Sequence, residues 1–188
     1  MSSWLDHPAR KPHLLPDFCD WLHGIRRARV LEMGVKRSRP EVSTLHRVWA
    51  SADAEYIGTD FEDGIDVDVV ADAHSLSRTF ERESFDAVIS VSVFEHLQRP
   101  WIAGREIATI LKPGGRTFCY THFAFPIHGY PSDYWRFTRE ALETIFVDAG
   151  LVVIGSDYEN PARIHSEADP DTARIETFTG VRIVAGKG

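Results

Sequence analysis

Short β-rich runs that stop at a glycine or a carboxylate alternate along this chain with stretches of helical spacing, and that alternation constrains the fold more than any other feature. The runs cover residues 29–33, stopping at Gly34; 55–59, ending at Asp60; 67–71, ending at Asp72; then 85–91 and 116–121. Repeated strand-then-helix order is the pattern of an α/β fold with a mostly parallel sheet. Residues 85–91 are nearly continuously apolar, as strands covered on both faces are. Helical spacing predicts helices over 14–24, 40–50, 101–111 and 138–149. The last has Thr138 as N-cap, Glu140 and Glu143 in its first turns and Gly150 as its stop. Residues 112–115, Lys-Pro-Gly-Gly, read as a turn. Two more strands are predicted at 151–156 and about 177–185, with the polar stretch 157–174 between them as a surface loop.

At 188 residues and 43% hydrophobic content the chain has material for one good core, so a single domain is expected. A net charge of −7 argues against a dedicated binder of duplex nucleic acid, which needs a basic face to displace phosphate counterions. The charge is uneven: residues 1–47 carry a net +4 and the remainder −11, leaving room for a small anion-facing patch near the N-terminus. There is no apolar run long enough to span a membrane and no secretory pattern at the N-terminus, so a cytoplasmic location is expected. Cys19 and Cys119 stand a hundred positions apart without ligand-like spacing, which disfavours a structural zinc site or a disulfide framework.

Three carboxylates fall at or near the ends of successive predicted strands: Glu32, Asp60 and Asp72. Ligands of open α/β sheets bind along that edge. Gly34 lets backbone approach a ligand without a Cβ, and a following helix would point free N–H groups there. A carboxylate ending the second strand is placed to accept hydrogen bonds from both hydroxyls of a ribose, which makes Asp60 the candidate.

The strings VLEMG, YIGTD, DVVADAHSL, FDAVISVSVFEHL and ILKPGG, in this order over about 29–151, resemble the motifs of class I S-adenosylmethionine-dependent methyltransferases, in the group that includes small-molecule enzymes. The resemblance implies a Rossmann-like three-layer sandwich, with a seven-stranded, mostly parallel sheet whose last strand is antiparallel. It implies one methyltransferase-like domain over 1–188, with an N-terminal helical segment to about 27 and a cofactor-binding core from about 28. It further implies that Glu32 and Gly34 line the methionine end of S-adenosylmethionine, that Asp60 binds ribose, that Asp72 and Ala73 meet adenine, and that Val91 and Ser92 lie along the cofactor. One departure stands out. The family's glycine-rich loop is here Glu32-Met-Gly34-Val-Lys36-Arg-Ser38, with Lys and Ser at the second and third glycine positions, so that Lys36 is placed to crowd the cofactor.

Between the fifth strand and the next helix runs THFAFPIHGYPSDYWRFT, residues 121–138, dense in groups that bind or react. Its second half, HGYPSDYWRFT, is similar to strings in methyltransferases of sugar and polysaccharide tailoring. Methyl transfer from a sulfonium needs alignment and, for a hydroxyl acceptor, a proton acceptor. His128, His122 and His96 are the candidate bases, Asp133 or Tyr134 the groups to orient an acceptor, and Arg136 a fork for a carboxylate or phosphate on it. Internal pairing of Asp133 with Arg136 is the competing structural reading. For Glu95 and His96, within FEHL, structural support is the commoner role. Loop spacing fixes no metal geometry around His122, His128 and Asp133, and no metal site is expected. Trp4, Phe18 and Trp21 are expected to form an apolar face of the N-terminal helix.

The function expected is methyl transfer from S-adenosylmethionine to a small-molecule or glycan-type acceptor, with O-methylation preferred. A homodimer or a partner subunit could complete so small a site. The alternatives are a non-catalytic methyltransferase-like binding module, favoured by Lys36 and Ser38, and a nicotinamide-dependent oxidoreductase, against which the absence of GxGxxG counts.

Overall fold

A computed structural model describes residues 13–129, 132–165 and 175–188; Trp4 lies outside them. Its elements, in chain order, are α1 (Leu14–His23), β1 (Arg29–Met33), β2 (Glu55–Asp60), β3 (Val69–Val70), β4 (Phe85–Val91), α2 (Pro100–Ile110), β5 (Leu111–His122), α3 (Arg139–Asp148), β6 (Val152–Ile164) and β7 (Ile175–Gly186). Short 3-10 turns lie at Arg47–Trp49, Leu76–Arg78 and Phe94–His96. The seven strands form one sheet in the order β3-β2-β1-β4-β5-β7-β6. β1 to β5 run parallel, and β7 is antiparallel to both of its neighbours, as expected from sequence.

Helices cover both faces. Leu14, Phe18 and Leu22 recur every four residues on α1 and are buried against Val30, Tyr56, Ile89 and Phe118 on one side of the sheet. On the other side α2 brings Ala103, Ile107 and Ile110, and α3 brings Leu142 and Phe146, onto Leu31, Val88 and Ile183. That double cover explains why β1 and β4 read as continuous apolar runs. Gly104 of α2 has a packing reason: a Cβ there would come within 2.8 Å of Ile145 on α3. Thr138 caps α3 as predicted, its hydroxyl accepting from the Ala141 N–H at 3.2 Å. Thr138→Ala is expected to cost about 1 kcal/mol of stability, read as a lowered urea midpoint at unchanged slope; an unaltered midpoint would deny the cap its role.

Three expectations are corrected. Residues 40–50 form no α-helix, only the 3-10 turn at Arg47–Trp49. Long-range side-chain bonds hold this segment instead. Asp66 binds the Arg37 guanidinium and the Ser43 hydroxyl, and the Glu32 carboxylate takes both the backbone N–H and the ring of His46. Tertiary bonds of this kind override a weak helical period. The third strand shrinks to Val69–Val70, because the Asp68 carboxylate turns back to accept the Gly58 N–H at 2.8 Å. Residues 157–164, read as loop, continue β6, pairing with β7 as far as Ile164 opposite Ile175. Their polar composition suits a two-stranded ribbon that has left the helix layers, steadied by Tyr158 stacked on Phe178 across the strands.

Candidate active site

The strand order reverses direction at β1, whose neighbours are β2 on one side and β4 on the other, and at such a switch point the carboxyl ends of the strands open a crevice. A cavity of about 780 Å³ lies there, within the range of roughly 300–1,000 Å³ usual for small-ligand sites. Its floor comes from β1 and β4. Gly34 follows β1 with φ +76°, its N–H bonded to the Thr59 carbonyl at 2.8 Å, and a Cβ there would collide with the Val93 side chain. Ser92 follows β4 at φ +56°, a conformation that bulky side chains avoid, with its N–H on the Tyr120 carbonyl.

The acidic wall comes from β2 and the turn after β3. Asp60 accepts backbone N–H groups from Lys36, at 3.1 Å, and from Glu62, at 3.4 Å, while staying on the cavity wall. The Oδ1 of Asp72 takes the backbone and ring N–H groups of His74, whose Nε2 accepts from the Arg99 N–H. Burial would raise the Asp72 carboxyl, but those bonds prevail and hold it below the ordinary range. Ala73 completes this wall beside Phe61, which is 71% exposed in a chain that buries most of its phenylalanines.

Of the residues expected at the cofactor, Gly34, Asp60, Asp72, Ala73 and Ser92 share this cavity. Glu32 does not reach it. Its carboxylate is 3% exposed and is consumed by the Tyr56 hydroxyl and by His46, which makes it the anchor of residues 40–50. Val91 packs with Tyr120 against the α1 side of the core. Lys36 turns outward, its ammonium paired with Glu62 and its stem over Gly64, so its side chain does not crowd the cavity. The residues present fit an adenosyl cofactor: two carboxylates for polar groups, an exposed aromatic face for a base, and a glycine where a Cβ would be blocked.

The loop after β5 closes the far wall. It is pinned to the turn after β4 by the N–H groups of Tyr134 and Trp135 on the Glu95 carbonyl and by the Trp135 ring N–H on the Leu97 carbonyl. Gly129, Ser132 and Tyr134 thereby reach the cavity, together with His96, whose Nδ1 donates to the Ser132 carbonyl at 2.8 Å. Asp133 and Arg136 form a two-bonded pair at 2.6 and 2.8 Å, and the other three guanidinium N–H groups go to the carbonyls of Phe125, Pro126 and Trp135. All five donors of Arg136 are spent within the loop. The anion-binding role expected for it therefore gives way to that of a clamp. Asp133 takes the His128 N–H as well, and its carboxyl is held far below the carboxylate range, chiefly by Arg136.

His122 and His128 do not line the cavity but gather around Glu95, whose side chain is fully buried. Burial pushes the Glu95 carboxyl up, yet His122 and the Thr121 hydroxyl, donating at 2.7 Å, hold it below its ordinary value.

Residues 42–119 match the family model described as a methyltransferase domain. Over that stretch the chain is similar to S-adenosylmethionine-dependent methyltransferases. Solved structures agree on the fold. A putative methyltransferase from Bacillus halodurans C-125 is 13% identical with a TM-score of 0.67 over 92% of this chain and 98% of that one. A SAM-dependent methyltransferase from Archaeoglobus fulgidus is 16% identical with a TM-score of 0.63, over 92% and 91%. The 1,6-didemethyltoxoflavin-N1-methyltransferase of Burkholderia thailandensis, solved with S-adenosylhomocysteine, is 16% identical with a TM-score of 0.61, over 98% and 80%. No curated protein sequence matches the chain. The match to a methyltransferase domain counts against the nicotinamide-dependent alternative, and the outward path of Lys36 removes the main argument for a non-catalytic module. Among the described residues no helix is long and apolar enough to cross a membrane.

Sequence reasoning passed over Phe61, Leu97 and Gln98, which share the cavity wall. Phe61 carried a signal: it directly follows Asp60 at the end of β2, and an aromatic exposed at a strand end has little structural reason to be there.

Proposed function

We propose that this methyltransferase acts on a hydroxyl of a small-molecule or glycan-type acceptor. The observation that carries the reading is that His96 and Tyr134 line the same cavity as Gly34, Asp60 and Asp72. S-adenosylmethionine held by these residues would supply an electrophilic methyl group on a sulfonium. What remains for the chain is to align the acceptor and take its proton. With Nδ1–H committed to Ser132, the His96 ring keeps Nε2 as a proton acceptor. Tyr134, about half exposed, offers a ring face and a hydroxyl to orient a sugar-like ring.

The test is transfer of labelled methyl groups to a panel of free sugars, sugar phosphates, phenols and amines, with mass spectrometry of the products. Methylation of oxygen, with a raised KM for the acceptor in Tyr134→Ala, is the expected result. Label found only on nitrogen or carbon overturns the oxygen assignment.

A further inference from the structure

Glu95 poses a problem that the methyl-transfer reading leaves untouched. Its side chain is fully buried; Oε2 is satisfied by Thr121, but Oε1 has no aligned hydrogen-bond donor among the described residues. A buried carboxylate oxygen left bare is costly and calls for a physical reason.

Imidazoles surround that oxygen. His122 Nε2, at the end of β5, is 3.1 Å away but off the line of a hydrogen bond, His96 Nε2, from the turn after β4, is 3.7 Å away, and His128 Nε2, from the loop, is 3.8 Å away. The tautomer of His128 is set from behind: its Nδ1 lies 3.2 Å from the Pro126 carbonyl and 3.3 Å from Asp133, which Arg136 holds in place. With the proton on Nδ1, the lone pair of Nε2 faces the carboxylate oxygen. Two acceptors then look at each other across a gap in which a cation would be bonded by both. A ligating histidine that gives its other N–H to a carbonyl or carboxylate is the usual outer support of a metal site. One donor atom from each of Glu95, His122 and His128 lies within 4.8 Å of the other two.

We infer that Glu95 Oε1, His122 Nε2 and His128 Nε2 form a binding site for one divalent transition ion of the zinc class. Two imidazole nitrogens and one carboxylate oxygen are a donor set that zinc takes at about 2.0–2.2 Å, in sites that keep a fourth position for water or a substrate oxygen. Bonds of that length place neighbouring ligands about 3.3–3.5 Å apart, against 3.1 and 3.8 Å from Glu95 Oε1 to the two imidazoles and at most 4.8 Å within the trio, so binding draws His128 inward on its loop. The absence of a metal site expected from sequence rested on loop spacing alone; the third ligand comes from a different element, the turn after β4. This site does not depend on the choice of acceptor.

The test uses full-length, tag-free protein stripped with a chelator, titrated with Zn²⁺ against a chromophoric competitor and separately with Co²⁺ followed by visible absorption. One equivalent per chain is expected, with cobalt bands typical of low coordination. His128→Ala, a change on a partly exposed loop residue, should weaken Zn²⁺ at least tenfold and abolish the cobalt bands, as should Glu95→Gln, whereas His23→Ala on α1 should change neither. Should Glu95→Gln not fold, His128→Ala decides alone. Binding below one equivalent in the wild type, or equal binding in wild type and His128→Ala, overturns the site.

Discussion

Gly34→Val is expected to destabilise the protein by about 2–5 kcal/mol and to abolish measurable binding of S-adenosylmethionine. Two penalties combine. A β-branched residue forced to φ +76° costs about 1–2 kcal/mol for handedness alone. The new Cβ also drives into the Val93 side chain, an overpacking of the kind that costs about 1–3 kcal/mol. Relief by moving Val93 shifts the segment that carries Ser92 and His96, and with it the far wall of the cavity. Urea unfolding measures the first effect and calorimetric titration the second. A variant that melts with the wild type and binds the cofactor equally would show that the backbone at this turn can relax freely.

Asp60→Ala should leave the fold largely intact and weaken the cofactor. Charge-assisted hydrogen bonds contribute about 1.5–3 kcal/mol each, so loss of even one to a ribose hydroxyl weakens binding by roughly 10- to 150-fold. The same carboxylate ties the N–H groups of Lys36 and Glu62, so a further loss from a loosened loop is expected. S-adenosylmethionine and S-adenosylhomocysteine should suffer alike, because the ribose is common to both. Unchanged affinity for the two would remove Asp60 from the site.

How legible these features were depended on where their causes lie. β1, β2 and β4 could be read to within a residue because burial on both faces writes itself into local composition. Residues 40–50 could not, since what shapes them is Glu32 and Asp66, ten or more positions away, competing with a helical period that has no packed face to reward it. Glu32 illustrates the same limit from the other side. A carboxylate at a strand end can face the ligand edge or turn into the core, and the Tyr56 hydroxyl that draws it inward belongs to the next strand. The gathering of His122 and His128 on Glu95 depends on β4 and β5 being neighbours in the sheet, with Thr121 opposite Val181 and the loop folded back over the turn. Arg136 was legible only as a pair of alternatives; counting its donors decided between them.

The position of β7 between β5 and β6 has a consequence for how the chain comes into being. Among the described residues β6 pairs only with β7, and β5 meets β7 across a gap of some sixty residues. A growing chain can zip β1 to β5 together as each crossover emerges, but β6 must wait with both edges bare until β7 has been made. Only with β7 in place do Val181, Ile183 and Ala185 complete the core cluster shared with β4 and α2. Non-local closure of this sort is slow, and bare edges invite pairing with other chains. The outer edge of β5 is therefore open to mispairing in the nascent protein from the moment that strand emerges until β7 arrives to cover it.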